Sequence, residues 1–261
     1  MAGACPVEFI ELAERLAAAS GAVIRDHFRT PFAIDRKSDA TPVTIADREA
    51  ERVMRELIAD SYPDHGILGE EHGNDRVDAE MVWVLDPIDG TLSFIAGKPI
   101  FGTLISLTRN GAPILGVIDQ PINGERWIGA AGMQTIFNGA PAATRPCAVL
   151  DQAMLNTTSP DLFEGDDLAR FRKIAAASRE VLYGGDCYAY GLVASGFVDL
   201  VVEVDLKPYD YCALAPVVEG AGGAMTDWRG AKLTLDSDGR VVASGDPVLH
   251  ALVIKALDFS G

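Results

Sequence analysis

The order of periodic segments predicts a mixed α/β protein built as two joined halves, residues 1–140 and 141–261. Three observations carry this expectation. Two amphipathic stretches open the chain, strands with Asn-Gly pairs fill its middle, and helices alternate with strands from about Ala142 onward.

Taken in order, Phe9, Leu12, Leu16 and Val23 recur at helical spacing and give a first helix from Val7 to Phe28. A second helix starts near Thr44 and carries Val53, Met54, Leu57 and Ile58 until Tyr62-Pro63 ends it. Thr44 with Asp47 three residues on resembles a capping box, which gives Asp47 a purely local use. Ile67-Leu68 is a short apolar run closing on Gly69-Glu70-Glu71, and Met81-Val82-Trp83-Val84-Leu85 reads as a buried strand. Runs from Phe101 to Thr108 and from Pro113 to Asp119 flank Asn110-Gly111, and a second turn pair lies at Asn138-Gly139. An antiparallel meander is expected there. The second half reads as a helix from Asp167 to Ala177, a strand at Val181-Leu182, a small-residue helix from Tyr188 to Ser195, and a strand from Val198 to Val204. One helix from Pro208 to Gly220 follows, and a last helix is capped by Asp246 with Pro247 in its first turn.

The chain has 261 residues, 48% of them hydrophobic, enough for a large core. Its 38 acidic against 22 basic side chains give a net charge of −16. Such a surface repels nucleic acid and anionic membranes, so neither is expected as a partner. No apolar stretch approaches the roughly 20 residues of a membrane helix. The stretch from Met1 to Leu16 lacks the basic start of a signal peptide. Cys5, Cys147, Cys187 and Cys212 are scattered without a CxxC pair, which argues against zinc or disulfides and for the cytoplasm.

The most informative run is Asp86-Pro87-Ile88-Asp89-Gly90-Thr91, directly after the central strand. A strand that stops in two carboxylates carries negative charge to the edge of a core, which is costly without a cation. With Glu70 and Glu71 at the neighbouring strand end, four carboxylates suggest a hard divalent metal. Oxygen ligands point to Mg²⁺ rather than zinc, and Mn²⁺ accepts the same octahedral site. Singly, each acid has a plainer use. Asp-Gly forms turns, Asp210 suits a helix start after Pro208, and Glu70 and Glu71 fit an exposed loop. Four separate coincidences are a poorer explanation than one metal site.

Together with Ser93-Phe94, and with Asp210 ahead of Glu219-Gly220-Ala221-Gly222-Gly223, these motifs resemble the inositol monophosphatase family from Asp47 to Trp228. The resemblance implies an α-β-α-β-α sandwich, a Mg²⁺-dependent phosphomonoesterase with two or three metals per site, and a homodimer. It makes Asp86 the bridge between metals, puts Glu70 and the Ile88 carbonyl on one, and Asp89 and Asp210 on the other. Thr91 and Asp47 would activate the attacking water, while Glu71 would hold a further water or orient the ligands. The amides of Gly90 and Thr91 would receive phosphate oxygens. Tyr209-Asp210-Tyr211-Cys212 departs from the family's usual Trp-Asp-x-Ala, yet keeps an aromatic before the acid. The chemistry suits these residues, because a phosphate ester dianion repels hydroxide and catalysis must come from positioning and charge neutralisation.

Gly184-Gly185-Asp186-Cys187-Tyr188-Ala189-Tyr190-Gly191 occupies the family's substrate loop and looks like its histidinol-phosphate phosphatase branch. Thr157-Thr158-Ser159-Pro160 and Lys207-Pro208-Tyr209-Asp210-Tyr211 fit the same branch. Glu203 stands where the family places a substrate-contacting acid. Histidinol phosphate carries an ammonium and a protonatable imidazole, whereas inositol has only hydroxyls. Asp186 and Glu203 would supply partners for that cation, the plainer alternatives being a turn residue and an exposed strand position. The expected substrate is therefore a small phosphate monoester, L-histidinol phosphate first, with inositol-1-phosphate or another sugar or nucleotide phosphate as the alternative. A non-catalytic interaction role as a dimer is the reading from a different class.

Overall fold

Helix α1 (Val7–His27) precedes the antiparallel pair β1 (Ile34–Arg36) and β2 (Pro42–Thr44), which leads into α2 (Ile45–Ser61). The computed structural model describes residues 4–31, 34–36 and 42–258, so the first three residues of the N-terminal stretch fall outside it. Thr44 caps α2 as its spacing predicts, its hydroxyl accepting from the Ala46 amide at 3.1 Å while its own amide donates to Asp47 at 2.9 Å.

The first sheet comprises β3 (Gly66–Gly69), β4 (Gly73–Asp75), β5 (Met81–Asp89), β6 (Gly102–Arg109), β7 (Ala112–Gln120), β8 (Glu125–Ala130), β9 (Ile136–Phe137) and β10 (Ala140–Pro141). Its order is β10-β9-β8-β7-β6-β5-β3-β4. The expected meander runs from β5 to β10 with antiparallel neighbours, while β3 joins β5 in parallel. Asn110 and Gly111 both take left-handed backbone, φ 50° and 77°, as a tight hairpin turn requires. A short helix, α3 (Thr91–Ile95), leaves the end of β5.

The second sheet takes β11 (Met154–Thr157), β12 (Glu180–Tyr183), β13 (Leu200–Glu203), β14 (Ala224–Asp227) and β15 (Val241–Ser244) in the order β12-β11-β13-β15-β14. Its helices are α4 (Gly165–Ala177), α5 (Tyr188–Ala194), α6 (Pro208–Tyr211), α7 (Leu214–Gly220) and α8 (Pro247–Leu257).

Side-chain alternation along β5 sets the layering. Trp83 and Leu85 pack against Leu12 and Leu16 of α1 and Met54 and Ile58 of α2. Val82 and Val84 face the other way, onto Tyr190 and Val193 of α5 and Val217 and Val218 of α7. Those two helices also cover Val201 and Val241 of the second sheet, whose far face carries Phe171 and Ile174 of α4 and Leu249 and Val253 of α8. The result is an α-β-α-β-α sandwich. Both faces of β5 are covered, which is why it reads as a continuous apolar run.

One expectation is corrected. The helix predicted from Pro208 to Gly220 is two helices, α6 and α7, separated at Cys212-Ala213. Pro216 has no amide hydrogen to give the Cys212 carbonyl, and its ring crowds that oxygen. The Ser106 hydroxyl lies 3.1 Å from the same carbonyl.

His250 on α8 is buried beside two hydroxyls, with Thr226 Oγ1 at 2.8 Å and Ser244 Oγ at 3.3 Å. Burial pushes its imidazole down to about 4. Above the unfolded value of about 6.5 this group adds no pH dependence. As pH falls from there through the folded value, the unfolded chain takes the proton first and stability drops by about 3 kcal/mol. Urea unfolding of wild type and His250→Gln at pH 7 and pH 4 checks this: the gap between the two proteins should shift in favour of the variant at pH 4.

Candidate active site

Strand β5 runs further than its apolar stretch, through Pro87 to Asp89, with an irregular register between Asp86 and Asp89. The Thr103 hydroxyl donates to the Pro87 carbonyl at 2.8 Å and fixes the bulge. Asp86 is 2% exposed, and its Oδ1 accepts the Ile88 amide at 2.9 Å. Asp89 Oδ2 accepts the Cys187 amide at 2.6 Å, so the loop after β12 is tied to β5. Asp210 sits in the first turn of α6, where its Oδ2 accepts the Lys207 amide at 2.6 Å.

These elements, far apart in the chain, place one carboxylate oxygen each of Asp86, Asp89 and Asp210 within 4.8 Å of one another. Among the described residues no other group of histidine, cysteine and acidic side chains meets that criterion. Burial, and then repulsion by neighbouring carboxylates, raises Asp86 and Asp89 well above the usual range. Burial likewise lifts Asp210 to about 7, against the pull of the Lys207 amide. Glu70 lies outside the trio but hydrogen-bonds to Asp86 through its side chain. Two carboxyl groups in hydrogen-bond contact must share a proton or a cation. An oxygen-only, repelling, buried cluster of this kind fits a hard divalent metal.

Asp47 serves two neighbours with different oxygens. Its Oδ2 accepts the Thr44 amide at 2.9 Å and hydroxyl at 2.5 Å, while Oδ1 faces the Thr91 hydroxyl at 3.5 Å. That hydroxyl also stands 3.2 Å from the Ile88 carbonyl. Burial raises Asp47, and its hydrogen bonds with Thr44 oppose the shift. One oxygen of this carboxylate thus serves the helix cap, and the other faces Thr91.

Gly90, with φ 84°, turns the chain from β5 into α3. A Cβ there would strike the Asp186 carboxylate at 2.6 Å, so this position admits only glycine. Asp186 Oδ2 in turn accepts the Ser93 hydroxyl at 2.6 Å. Gly184, Gly185 and Asp186 are successive left-handed residues, φ 81°, 130° and 45°, that fold the loop over the ends of β11 and β12. Glu203 is buried rather than exposed on its strand, with Oε1 accepting the Thr158 amide at 2.9 Å and Oε2 the Tyr190 hydroxyl at 2.7 Å. A cavity of about 100 Å³ joins Asp89, Asp210, Asp186, Glu203, Thr158 and Tyr190. A wider hollow of about 700 Å³ beside Met133 and α7 contains none of the clustered acids. Charge, not size, marks the site. Glu71 is half-buried, with its amide turned to Glu51 at 2.7 Å.

In the sequence Tyr190 and Thr158 stand out only as members of their motifs, without a role of their own, and Glu51 does not stand out at all. The signal for Glu51 is its place one helical turn after Asp47, which puts both on one face of α2.

Residues 6–261 match the model of the inositol monophosphatase family. A bifunctional phosphatase from Arabidopsis thaliana, IMPL2, is 50% identical over 96% of this chain and 75% of its own length. A histidinol-phosphatase from Chlorobaculum parvum is 36% identical over 90% of this chain and 92% of its own. The solved inositol monophosphatase from Zymomonas mobilis superposes with a TM-score of 0.89 at 50% identity, over 97% of this chain and 98% of that one. Fold and acidic centre therefore define a phosphatase hydrolase, an enzyme acting on phosphate monoesters. The chain belongs to the inositol monophosphatase family, whose members are generally metal-dependent. No described helix is long and apolar enough to cross a membrane.

Proposed function

We propose that this phosphatase hydrolyses L-histidinol phosphate to L-histidinol and phosphate, with Mg²⁺ as its cation and Mn²⁺ as a substitute. The reading rests chiefly on the Asp186 and Glu203 carboxylates, which line the cavity next to Asp89 and Asp210. Each is held by an internal donor and keeps lone pairs for a cationic amine. The name of the Chlorobaculum parvum relative supports the same substrate. The same reading places the enzyme in histidine biosynthesis; the homodimer is proposed from the family resemblance and the cytoplasmic location from the scattered cysteines.

Glu70, Asp86, Asp89, Asp210 and the Ile88 carbonyl would hold the metals, with Asp86 shared between them. Bound there, they would neutralise the phosphate charge and supply the Lewis acidity that phosphoryl transfer needs. The amides of Gly90 and Thr91 would receive phosphate oxygens. The Thr91 hydroxyl would take the proton that the attacking water loses as it passes its own to Asp47 Oδ1. As water oxygen bonds to phosphorus, the ester P–O bond breaks and the leaving alkoxide takes a proton from solvent. Glu71 would orient the ligand set.

Inositol-1-phosphate is the second reading, favoured by the name of the Zymomonas mobilis structure. Phosphate release from both esters in Mg²⁺ separates the two. A charge-assisted hydrogen bond contributes about 1.5–3 kcal/mol, roughly ten- to a hundredfold in specificity. The expected kcat/KM on L-histidinol phosphate exceeds that on inositol-1-phosphate by this factor, and Asp186→Ala should erase the preference. Preference for inositol-1-phosphate, or equal losses on both esters in Asp186→Ala, would sink the substrate assignment while leaving the phosphatase intact.

A further inference from the structure

Glu51 is completely buried on α2, yet carries a carboxylate whose bonds all lead to one place. Its Oε2 accepts the Glu71 amide at 2.7 Å, and its Oε1 accepts the His72 amide at 3.1 Å and Arg55 Nε at 2.6 Å. The Arg55 guanidinium reaches on to the Gly73 carbonyl. Gly69 packs so closely on Glu51 Oε1 that a Cβ there would overlap it. From the other side, the Glu70 amide donates to the Leu85 carbonyl of β5 at 3.2 Å. The turn bearing Glu70 is therefore gripped between α2 and β5 by its backbone, immediately on both sides of Glu70.

From this grip we infer that Glu51 is a positioning residue: it holds the Glu70–Glu71 turn against the Asp86 cluster and so presets the site for a divalent cation. Glu70 stands in hydrogen-bond contact with Asp86 among carboxylates that repel one another, so the turn that bears it needs a hold of its own. Hydrogen bonds to backbone amides resist this without touching the ligand oxygens. Arg55 compensates the Glu51 charge, so the clamp adds no net negative charge. Because Asp47 is one turn earlier on α2, the same rigid helix sets both the Thr91 contact and the Glu70 turn. The inference rests on the metal-dependent reading of the site, but not on the identity of the substrate.

Direct Mn²⁺ titration, following free Mn²⁺ by electron paramagnetic resonance, tests it without any turnover. Glu51→Gln presents an amide NH₂ where the turn offers its own donors. Its Mn²⁺ dissociation constant should rise about 10–100-fold, the usual effect of losing a group that orients metal ligands. Glu51→Asp should restore part of the affinity. KM for the phosphate ester at saturating metal should stay at the wild-type value. Met54→Ala, a cavity in the same helix, should lower Tm and leave Mn²⁺ affinity unchanged. A folded Glu51→Gln protein with wild-type affinity overturns the proposal, as does equal weakening in Met54→Ala. If Glu51→Gln does not fold, Arg55→Met decides: weaker Mn²⁺ binding supports the clamp, and unchanged binding overturns it. Wild-type protein that binds no Mn²⁺ refutes the metal reading itself, before any variant is compared.

Discussion

Asp86→Asn should lose phosphatase activity by about 10³-fold or more, because removing this charge forfeits several kcal/mol of the site's charge stabilisation. The variant should nevertheless fold, and in metal-free buffer its Tm should equal or exceed that of wild type. The structure explains this sign. Asp86 is buried among Glu70, Asp89 and Asp210, so without a cation its charge opposes folding. An asparagine keeps the oxygen that accepts the Ile88 amide and removes the repulsion. For the same reason metal-free wild type should gain stability as pH falls through the raised carboxyls, Asp210 at about 7 among them. Adding Mg²⁺ should raise the wild-type Tm and leave that of Asp86→Asn nearly still. Activity retained in the variant, or a Tm rise with Mg²⁺ as large as wild type's, would remove Asp86 from the centre of the account.

The second large effect is expected at Asp47 and Thr91. Asp47→Asn and Thr91→Ala should each lower kcat by about 10²–10³-fold, within the range for a group assisting proton transfer. KM should change little, since neither group is assigned to the substrate. Asp47→Asn should also cost about 1 kcal/mol of stability, because its Oδ2 serves the Thr44 cap. Thr91→Ala leaves that cap intact, so its kcat loss should come without the Tm loss. The comparison separates the two duties of the aspartate. Normal turnover in Asp47→Asn with only a lower Tm would reduce this residue to helix capping.

Local chemistry made much of the fold legible from residues alone. Thr44 with Asp47, the two Asn-Gly turns and Asp246-Pro247 each specify a turn or cap by contacts within a few residues, and the structure has all of them. The break between α6 and α7 was harder to see. The apolar pattern runs on through Cys212 and Ala213, and the signal was Pro216, whose missing hydrogen bond acts four residues back. The parallel pairing of β3 with β5 and the approach of Asp210 to Asp86 are long-range events that no local period encodes. The family motifs, rather than periodicity, anticipated that approach. Glu203 illustrates the limit most clearly: its strand was legible, but its burial depends on Tyr190 and Thr158 arriving from two other elements.

The central claim is that the Asp86, Asp89 and Asp210 carboxylates form a divalent cation site. Anomalous diffraction from crystals soaked in Mn²⁺ tests it most directly. Anomalous peaks are expected among those three carboxylates and beside Glu70, with oxygen ligands at metal distances. Peaks only elsewhere, or none at an Mn²⁺ concentration that supports phosphate release, would contradict it.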